Sequence, residues 1–275
     1  MLAESPETVP PDDAIVIVDV AWLRQNLHTP RVRVVDARPA HLYAGGHIPG
    51  AVNYDTYAFK LRGSDPKAIA EFTAILEGHL RKIGVQTDDR VIFYEDISGT
   101  SAARGVWLMD YAGLGGGALL DGGYDAWKAD GNPSENGTVI PVPSDIRITP
   151  RPEILATADE ILMHLAAPNS AMTLIDTRNA IEHQIGAIPG SVHLDWVIHL
   201  RPDGTLRPLP ELRAIYDAAG VAPDHAIITY CASGFRAAHT YLILRALGYP
   251  RVRNYAPSWA EWGTRSDLPA SVRRA

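Results

Sequence analysis

Short apolar runs alternate with longer segments of helical period along the chain, and that alternation predicts βα units built around parallel sheets. In the first half the pattern predicts a helix over 22–27, a strand over 32–36 and a helix over 68–83. A strand over 90–94 and a helix over 102–111 follow. In the second half Thr157-Ala158-Asp159-Glu160 reads as a capping box that opens a helix running to about Leu165. A strand around Leu174-Ile175 ends at Asp176, and a helix covers 212–219. A strand over 226–230 and a helix over 237–247, closed by Gly248, complete the set. Between the halves, prolines at 133, 141, 143, 150 and 152 break up a stretch without regular period, the mark of a linker.

The two halves repeat each other. Val34-Val35-Asp36-Ala37-Arg38 matches Leu174-Ile175-Asp176-Thr177-Arg178, and at the same offset Gly46-His47-Ile48-Pro49-Gly50 matches Gly186-Ala187-Ile188-Pro189-Gly190. Gly84 through Glu95 then matches Gly220 through Cys231 without a gap. Finally, Leu119-Leu120 to Trp127 answers Val252-Arg253 to Trp262. Four blocks in one order establish a duplication, with domains expected over 12–133 and 153–275 and a linker over 134–152.

Composition narrows the field. A chain of 275 residues has room for two domains, and 46% hydrophobic with 21% charged residues is the balance of a soluble globular protein. No window reaches the length of a membrane span, and Met1-Leu2-Ala3-Glu4-Ser5-Pro6-Glu7 is acidic without an apolar signal core, so no membrane partner is expected. One cysteine forbids an internal disulfide and a cysteine-rich zinc site, and makes a cytoplasmic home the natural one. The ten histidines show no paired ligand spacing; neither metal nor cofactor is expected. A net charge of −7 argues against nucleic acid and leaves any anionic substrate dependent on a local positive pocket.

That pocket has a candidate. Cys231 stands where the predicted 226–230 strand meets Ala232-Ser233-Gly234-Phe235, just before a helix expected to open near Arg236. Ligands of open α/β sheets bind outside the carboxyl ends of the strands. A tight loop entering a helix turns backbone N–H groups into its own hollow, which favours a sulfur there as thiolate. Gly234 can take the positive φ such a loop needs, and Arg236 adds a permanent cation. The competing reading of a lone cysteine is a small buried hydrophobe. The first copy carries Glu95 instead, in a loop one residue longer, and is expected to be a non-catalytic wall of the cleft. Asp36-x-Arg38 and Asp176-x-Arg178 read as pins of strand ends. Trp259 and Trp262 recur as Tyr124 and Trp127 and read as core or cleft wall, and Phe235 reads as an apolar rim.

These features together resemble the two-domain rhodaneses, the thiosulfate and 3-mercaptopyruvate sulfurtransferases. The likeness rests on the Asp-x-Arg strand ends, on His47-Ile48-Pro49-Gly50-Ala51, on the Cys231 loop and on Ser258-Trp259-Ala260-Glu261-Trp262-Gly263. The resemblance implies an α/β protein of two tandem rhodanese-like domains, each a mainly parallel sheet flanked by helices, with catalysis in the second. It implies a double displacement in which Cys231 takes sulfur from a small anionic donor as a persulfide and yields it to cyanide or a thiol. Ala232, Ser233, Gly234, Phe235 and Arg236 would bind the donor, with Asp176, Arg178 and His47 as accessory residues, His47 acting with Ser233; the competing reading of His47 is capping or core packing. Related phosphatases and arsenate reductases have a loop one residue longer, and phosphatases a histidine where Tyr230 stands here, so a cysteine-dependent phosphatase or arsenate reductase is the more distant alternative. The small loop 232–234 is similar to that of mercaptopyruvate enzymes, yet no arginine or lysine follows Arg178 before Ile188, so thiosulfate is the expected donor and 3-mercaptopyruvate the alternative. Binding modules of the family typically lack the cysteine, whereas a persulfide carrier for a biosynthetic partner would show the same residues.

Overall fold

In a computed structural model that describes residues 16–167 and 171–271, each half folds around its own sheet. The acidic N-terminal heptapeptide and the outer limits expected for the two domains lie outside the described residues. The first half runs β1 (Ile17–Val18), α1 (Val20–Asn26), β2 (Val32–Asp36), α2 (Ala40–Gly45), β3 (Val52–Asn53), α3 (Pro66–Lys82), β4 (Arg90–Tyr94), α4 (Thr100–Tyr111), β5 (Gly117–Leu120) and α5 (Gly123–Ala129). The second runs α6 (Ala158–Ala166), β6 (Met172–Asp176), α7 (Ala180–Ile185), β7 (Val192–His193), α8 (Leu209–Ala218), β8 (Ala226–Tyr230), α9 (Phe235–Ala246), β9 (Val252–Asn254) and α10 (Ser258–Trp262). Strand order is β1-β5-β4-β2-β3 in one sheet and β7-β6-β8-β9 in the other, and all these pairings are parallel. A lone parallel bridge between Leu155 and Asn254 stands where β1 pairs β5 in the first half.

The central strands explain why the pattern was readable. β4 is buried at every position and β8 at all but its first, as parallel strands covered on both faces must be. Helices open where side chains can cap them. Asp65 accepts from the amides of Lys67 and Ala68 ahead of Pro66, and Thr157 and Glu160 form the expected reciprocal box at α6. α3 then buries Phe72, Leu76 and Leu80 as one stripe. The two-residue strands and the six-residue helices α2 and α7 were not anticipated, because elements that short carry no measurable period. The last repeat block also slips. Gly117 pairs with Val91 and Val252 pairs with Ile227, so Val252 answers Gly117 and not the more apolar Leu119.

Residues 134–151 form no helix or strand but lie docked on the first half: Val139 N–H donates to the Tyr43 hydroxyl (2.9 Å), Arg81 Nε to the Ile146 carbonyl (2.7 Å) and Thr149 N–H to the Ala112 carbonyl (3.0 Å). No helix among the described residues is long and apolar enough to cross a membrane.

The halves share one core. α4 packs on α9, and a single apolar cluster takes in Trp107 and Leu108 from the first half and Tyr241 and Leu242 from the second. Polar pins flank it. Tyr241 and Arg245 both donate to Asp110 Oδ2, at 3.0 and 2.9 Å. Ser64 N–H and Oγ–H donate to Glu261 Oε1 while Ser64 Oγ accepts from the Ala158 amide. A buried relay runs from the Ser98 carbonyl to His239 Nε2 (3.0 Å), His239 Nδ1 to His199 Nδ1 (3.3 Å) and His199 Nε2 to the Tyr216 hydroxyl (2.8 Å). A carbonyl only accepts, so His239 carries its proton on Nε2 and His199 on Nδ1. Burial pushes His239 down to about 4 and His199 well below its usual range, which keeps both rings neutral near pH 7.

The approach of α4 to its sheet is close enough to test. A Cβ on Gly105 would lie 2.2 Å from Cδ1 of Phe93 on β4, which is itself fully buried. Gly105→Ala should therefore destabilise the protein by about 1–3 kcal/mol despite its better helix propensity, read from chemical unfolding. Unchanged stability would mean that Phe93 has room to swing aside.

Candidate active site

The only cysteine ends up at the carboxyl end of β8, 1% exposed, with its Sγ accepting the Gly234 N–H at 3.1 Å. Gly234 caps α9 with φ +85°, and a Cβ there would meet the Ala256 carbonyl oxygen at 2.4 Å, so both backbone angle and space demand glycine. α9 begins at Phe235, and the first amides of a helix have no carbonyl one turn back to bond. Sulfur thus sits at the positive end of a helix, in the anion cradle expected of it. Ala232 and Ser233 are half-buried beside it.

A second segment braces the loop from behind. Cys231 N–H donates to Ser258 Oγ (3.0 Å), which itself donates to the Tyr255 carbonyl (2.7 Å). Trp259 and Ala260 return their N–H groups to the carbonyls of Cys231 (3.0 Å) and Ala232 (2.9 Å), and Asn254 Nδ2 holds the Gly234 carbonyl (3.1 Å). The first half repeats the two backbone bonds: Tyr124 N–H donates to the Glu95 carbonyl (2.7 Å) and Asp125 N–H to that of Asp96 (2.9 Å). At the preceding position Gly123 and Ser258 share φ +57°. A serine held where its twin is glycine accepts a left-handed strain, and its hydroxyl is what orients the cysteine amide. Ser258 was read only as the first residue of the closing motif; its bond to the cysteine amide was not foreseen, although that glycine-to-serine difference between the copies was visible.

Arg236 lies beside the loop, but it is not the free cation expected. Its Nη1 and Nη2 donate to the two oxygens of Glu182 on α7, at 2.5 and 2.7 Å. Hydrogen bonding to Glu182 raises its pKa, and the Cys231 sulfur adds to the shift. Glu182 in turn is held below its usual range by Arg236. The absence of arginine from this segment was noted in the sequence; the carboxylate that partners Arg236 there was not.

The accessory residues divide. Asp176 and Arg178 are buried, with Nε to Oδ1 at 2.9 Å and Nη2 to Oδ2 at 2.6 Å, and Arg178 Nη2 also donates to the Gly186 carbonyl (2.6 Å). Burial works against the Asp176 charge, yet the bonds from Arg178 and His183 hold its carboxyl below the usual range. Asp36 and Arg38 repeat the pair, with the Gly46 carbonyl as third partner. These are strand-end pins. The Tyr230 hydroxyl, which donates to Asp176 (2.9 Å), ties that pin to the residue before Cys231. His47 is not brought to Ser233: it is buried in the first half, stacked on Tyr43 at 4.1 Å, with Nδ1 on the Tyr43 carbonyl and Nε2 3.9 Å from Glu135. Its twin Ala187 makes the same backbone bridge to Ser271 that His47 makes to Glu135, so the site is a packing position. Phe235 corrects another expectation. It is 3% exposed and stacked under Tyr57 of the first half at 4.4 Å, a joint between the halves and not a rim.

In the first half the equivalent cradle is filled from within. Glu95 Oε1 accepts from the amides of Ser101 (2.6 Å) and Ala102 (3.3 Å) at the start of α4. Burial pushes the carboxyl up to about 7, against the pull of those amides and with the charges of Asp96 and Asp36 adding to the rise. Among the described residues no group of three or more His, Cys, Asp or Glu side chains could hold a metal ion.

Comparison with known proteins follows this duplication. The family model of the rhodanese-like domain matches twice, over residues 19–130 and 157–265. The thiosulfate sulfurtransferase of Pseudomonas aeruginosa is 31% identical over 268 residues, covering 94% of this chain and 98% of the relative. The 3-mercaptopyruvate sulfurtransferase of Escherichia coli is 30% identical over 273 residues, covering 92% of this chain and 96% of the relative. A crystal structure of a 3-mercaptopyruvate sulfotransferase from Escherichia coli, described as having the rhodanese fold, superposes with a TM-score of 0.76 at 28% identity, covering 89% of this chain and 99% of the other.

Two measurements test the electrostatics. Folded Glu95 keeps its proton up to about pH 7 against an ordinary 4.5, so ionisation costs the fold stability as pH rises through that window. Glu95→Gln removes the cost while keeping an acceptor, and should gain about 2–3 kcal/mol on the parent between about pH 4 and pH 8. Parallel stability curves would show that the carboxyl is ionised throughout. Glu182→Gln should release Arg236 toward the sulfur and raise alkylation of Cys231 by anionic iodoacetate, relative to neutral iodoacetamide, roughly fivefold, the equivalent of about 1 kcal/mol. An unaltered ratio would show that Arg236 does not bear on anions at Cys231.

Proposed function

The chain belongs to the rhodanese-like domain family, and on that premise we propose that it is a sulfurtransferase in which Cys231 carries sulfane sulfur from thiosulfate to cyanide or a thiol. The observation that supports this reading is the sulfur of Cys231 held 3.1 Å from the Gly234 amide at the start of a buried helix. The chemistry follows from that placement. The Cys231 thiolate attacks the outer sulfur of thiosulfate, the donor S–S bond breaks, and sulfite leaves with the bonding pair. What remains is a Cys231 persulfide carrying one negative charge. Cyanide or a thiolate then attacks the terminal sulfur, the Cys231 Sγ–S bond breaks, and the thiolate returns. A covalent intermediate splits one difficult transfer into two easier ones.

Roles for the surrounding residues rest on the same reading. Amides of the 232–234 loop and of the first turn of α9 would hold the anionic sulfur through both steps, as preorganised dipoles do without moving. Arg236 would receive the departing sulfite, its pull tempered by Glu182. Asp176, Arg178, Ser258 and Asn254 would fix the loop and never touch the donor. The first half would close the cleft with Tyr57 and supply no nucleophile, since Glu95 already occupies its cradle.

Incubation with thiosulfate should add the mass of one sulfur atom to the peptide that contains Cys231, and Cys231→Ser should lose both the adduct and at least a thousandfold in kcat/KM, the usual scale for removal of a covalent nucleophile. Substantial turnover in that variant would sink the persulfide route. Donor identity is read in the same assay: a higher kcat/KM with 3-mercaptopyruvate than with thiosulfate would replace the donor while leaving the carrier in place.

A further inference from the structure

Arg104 is the odd residue of this molecule. It sits in the middle of α4, in the half without a nucleophile, with no exposed surface and no hydrogen-bond partner for Nε, Nη1 or Nη2. Its guanidinium carbon lies over three aromatic rings, 4.4 Å from the centroid of Trp107, 5.7 Å from Phe72 and 5.3 Å from Phe235. Two of those rings belong to the first half. Phe235 follows Gly234, whose amide rests on the Cys231 sulfur. Burial pushes the Arg104 pKa down to about 10, which leaves the side chain charged near pH 7.

A guanidinium held in the dry interior without an acceptor is unfavourable unless an anion compensates it. The groups whose charge reaches Arg104 are the Tyr54 hydroxyl and the Cys231 sulfur. Burial raises Tyr54 far above the ordinary tyrosine range, so it stays neutral. That leaves the sulfur. We propose that Arg104 is a positioning residue contributed by the first half to the second half's site, its buried charge holding the Cys231 sulfur as an anion, thiolate and persulfide alike. The proposal rests on the reading of Cys231 as nucleophile and gives the silent half an electrostatic part in it.

Other charged groups around the loop are already engaged or face water. Arg236 is paired with Glu182, and Glu261 on α10 receives Ser64 and Tyr255. Lys60 reaches the Phe235 ring at 5.8 Å from an exposed position. Arg104 differs from all three in being unpaired and screened from solvent, where a charge acts most strongly.

The test needs no sulfur donor, so its failure is separable from failure of the proposed activity. Alkylation of the single cysteine by iodoacetamide is followed against pH in the whole protein and in Arg104→Met, Arg104→Gln and Arg104→Lys. The uncharged variants should react about tenfold more slowly at pH 7, with the profile moved to higher pH, while Tm is held or raised because an unpaired buried charge has gone. Arg104→Lys keeps the charge and should restore most of the rate. A folded Arg104→Met with the parent's profile would overturn the proposal, as would a lysine variant no faster than the uncharged ones. If Arg104→Met does not fold, Arg104→Gln against Arg104→Lys decides by the same criterion, and equal profiles reject the idea.

Discussion

A helix that begins inside a protein presents amide hydrogens that something must accept. Both halves of this chain are arranged around that demand, at the same place, just beyond the central strand. In the first half the acceptor is the Glu95 carboxyl group, bonded to the amides of Ser101 and Ala102. In the second it is the Cys231 sulfur under the Gly234 amide. The strands that deliver these groups, the Asp-x-Arg pins beside them and the backbone braces from α5 and α10 are alike in the two copies. What differs is whether the acceptor is a carboxyl group bonded to two amides of the helix or a single sulfur atom under one amide at its cap.

Long-range partners are where the sequence fell silent. Strands β2, β4 and β8 were legible to the residue, because a parallel strand covered on both faces is a short, mostly apolar run bounded by turns. Cys231 and Gly234 were legible for a local reason: a lone sulfur at a strand end and a glycine at a helix cap sit within four residues of each other. Arg236 was placed correctly and misjudged in its partnership, since Glu182 is 54 residues away and its own neighbourhood explains it as a helix cap. Phe235 looked like a rim until Tyr57 was seen stacked on it. Arg104 had no local mark at all. An arginine in a helix is ordinarily taken as solvated, and only the packing of α4 on α9 buries it.

His47 teaches the converse. A histidine that its repeat lacks drew attention as a candidate partner of Ser233 beside a plain packing reading, and packing is the role it has. His47 stacks on Tyr43, and its twin Ala187 keeps the same kind of backbone bridge without a ring. Divergence between copies goes with a hydrogen bond to the Cys231 amide at Ser258 and with a packing difference at His47. Hydrogen bonds to the loop separate the two cases; sequence difference alone does not.

The shared apolar core has an evolutionary consequence. After a duplication, a copy that no longer carries a nucleophile is usually free to drift. Here it is not, because Trp107, Leu108 and Phe72 of the silent copy lie in the same cluster as Tyr241 and Leu242 of the other. Volume changes on that face of α4 press on α9, whose cap amide holds the sulfur. Selection on the second copy is thereby expected to extend through the packing into the first.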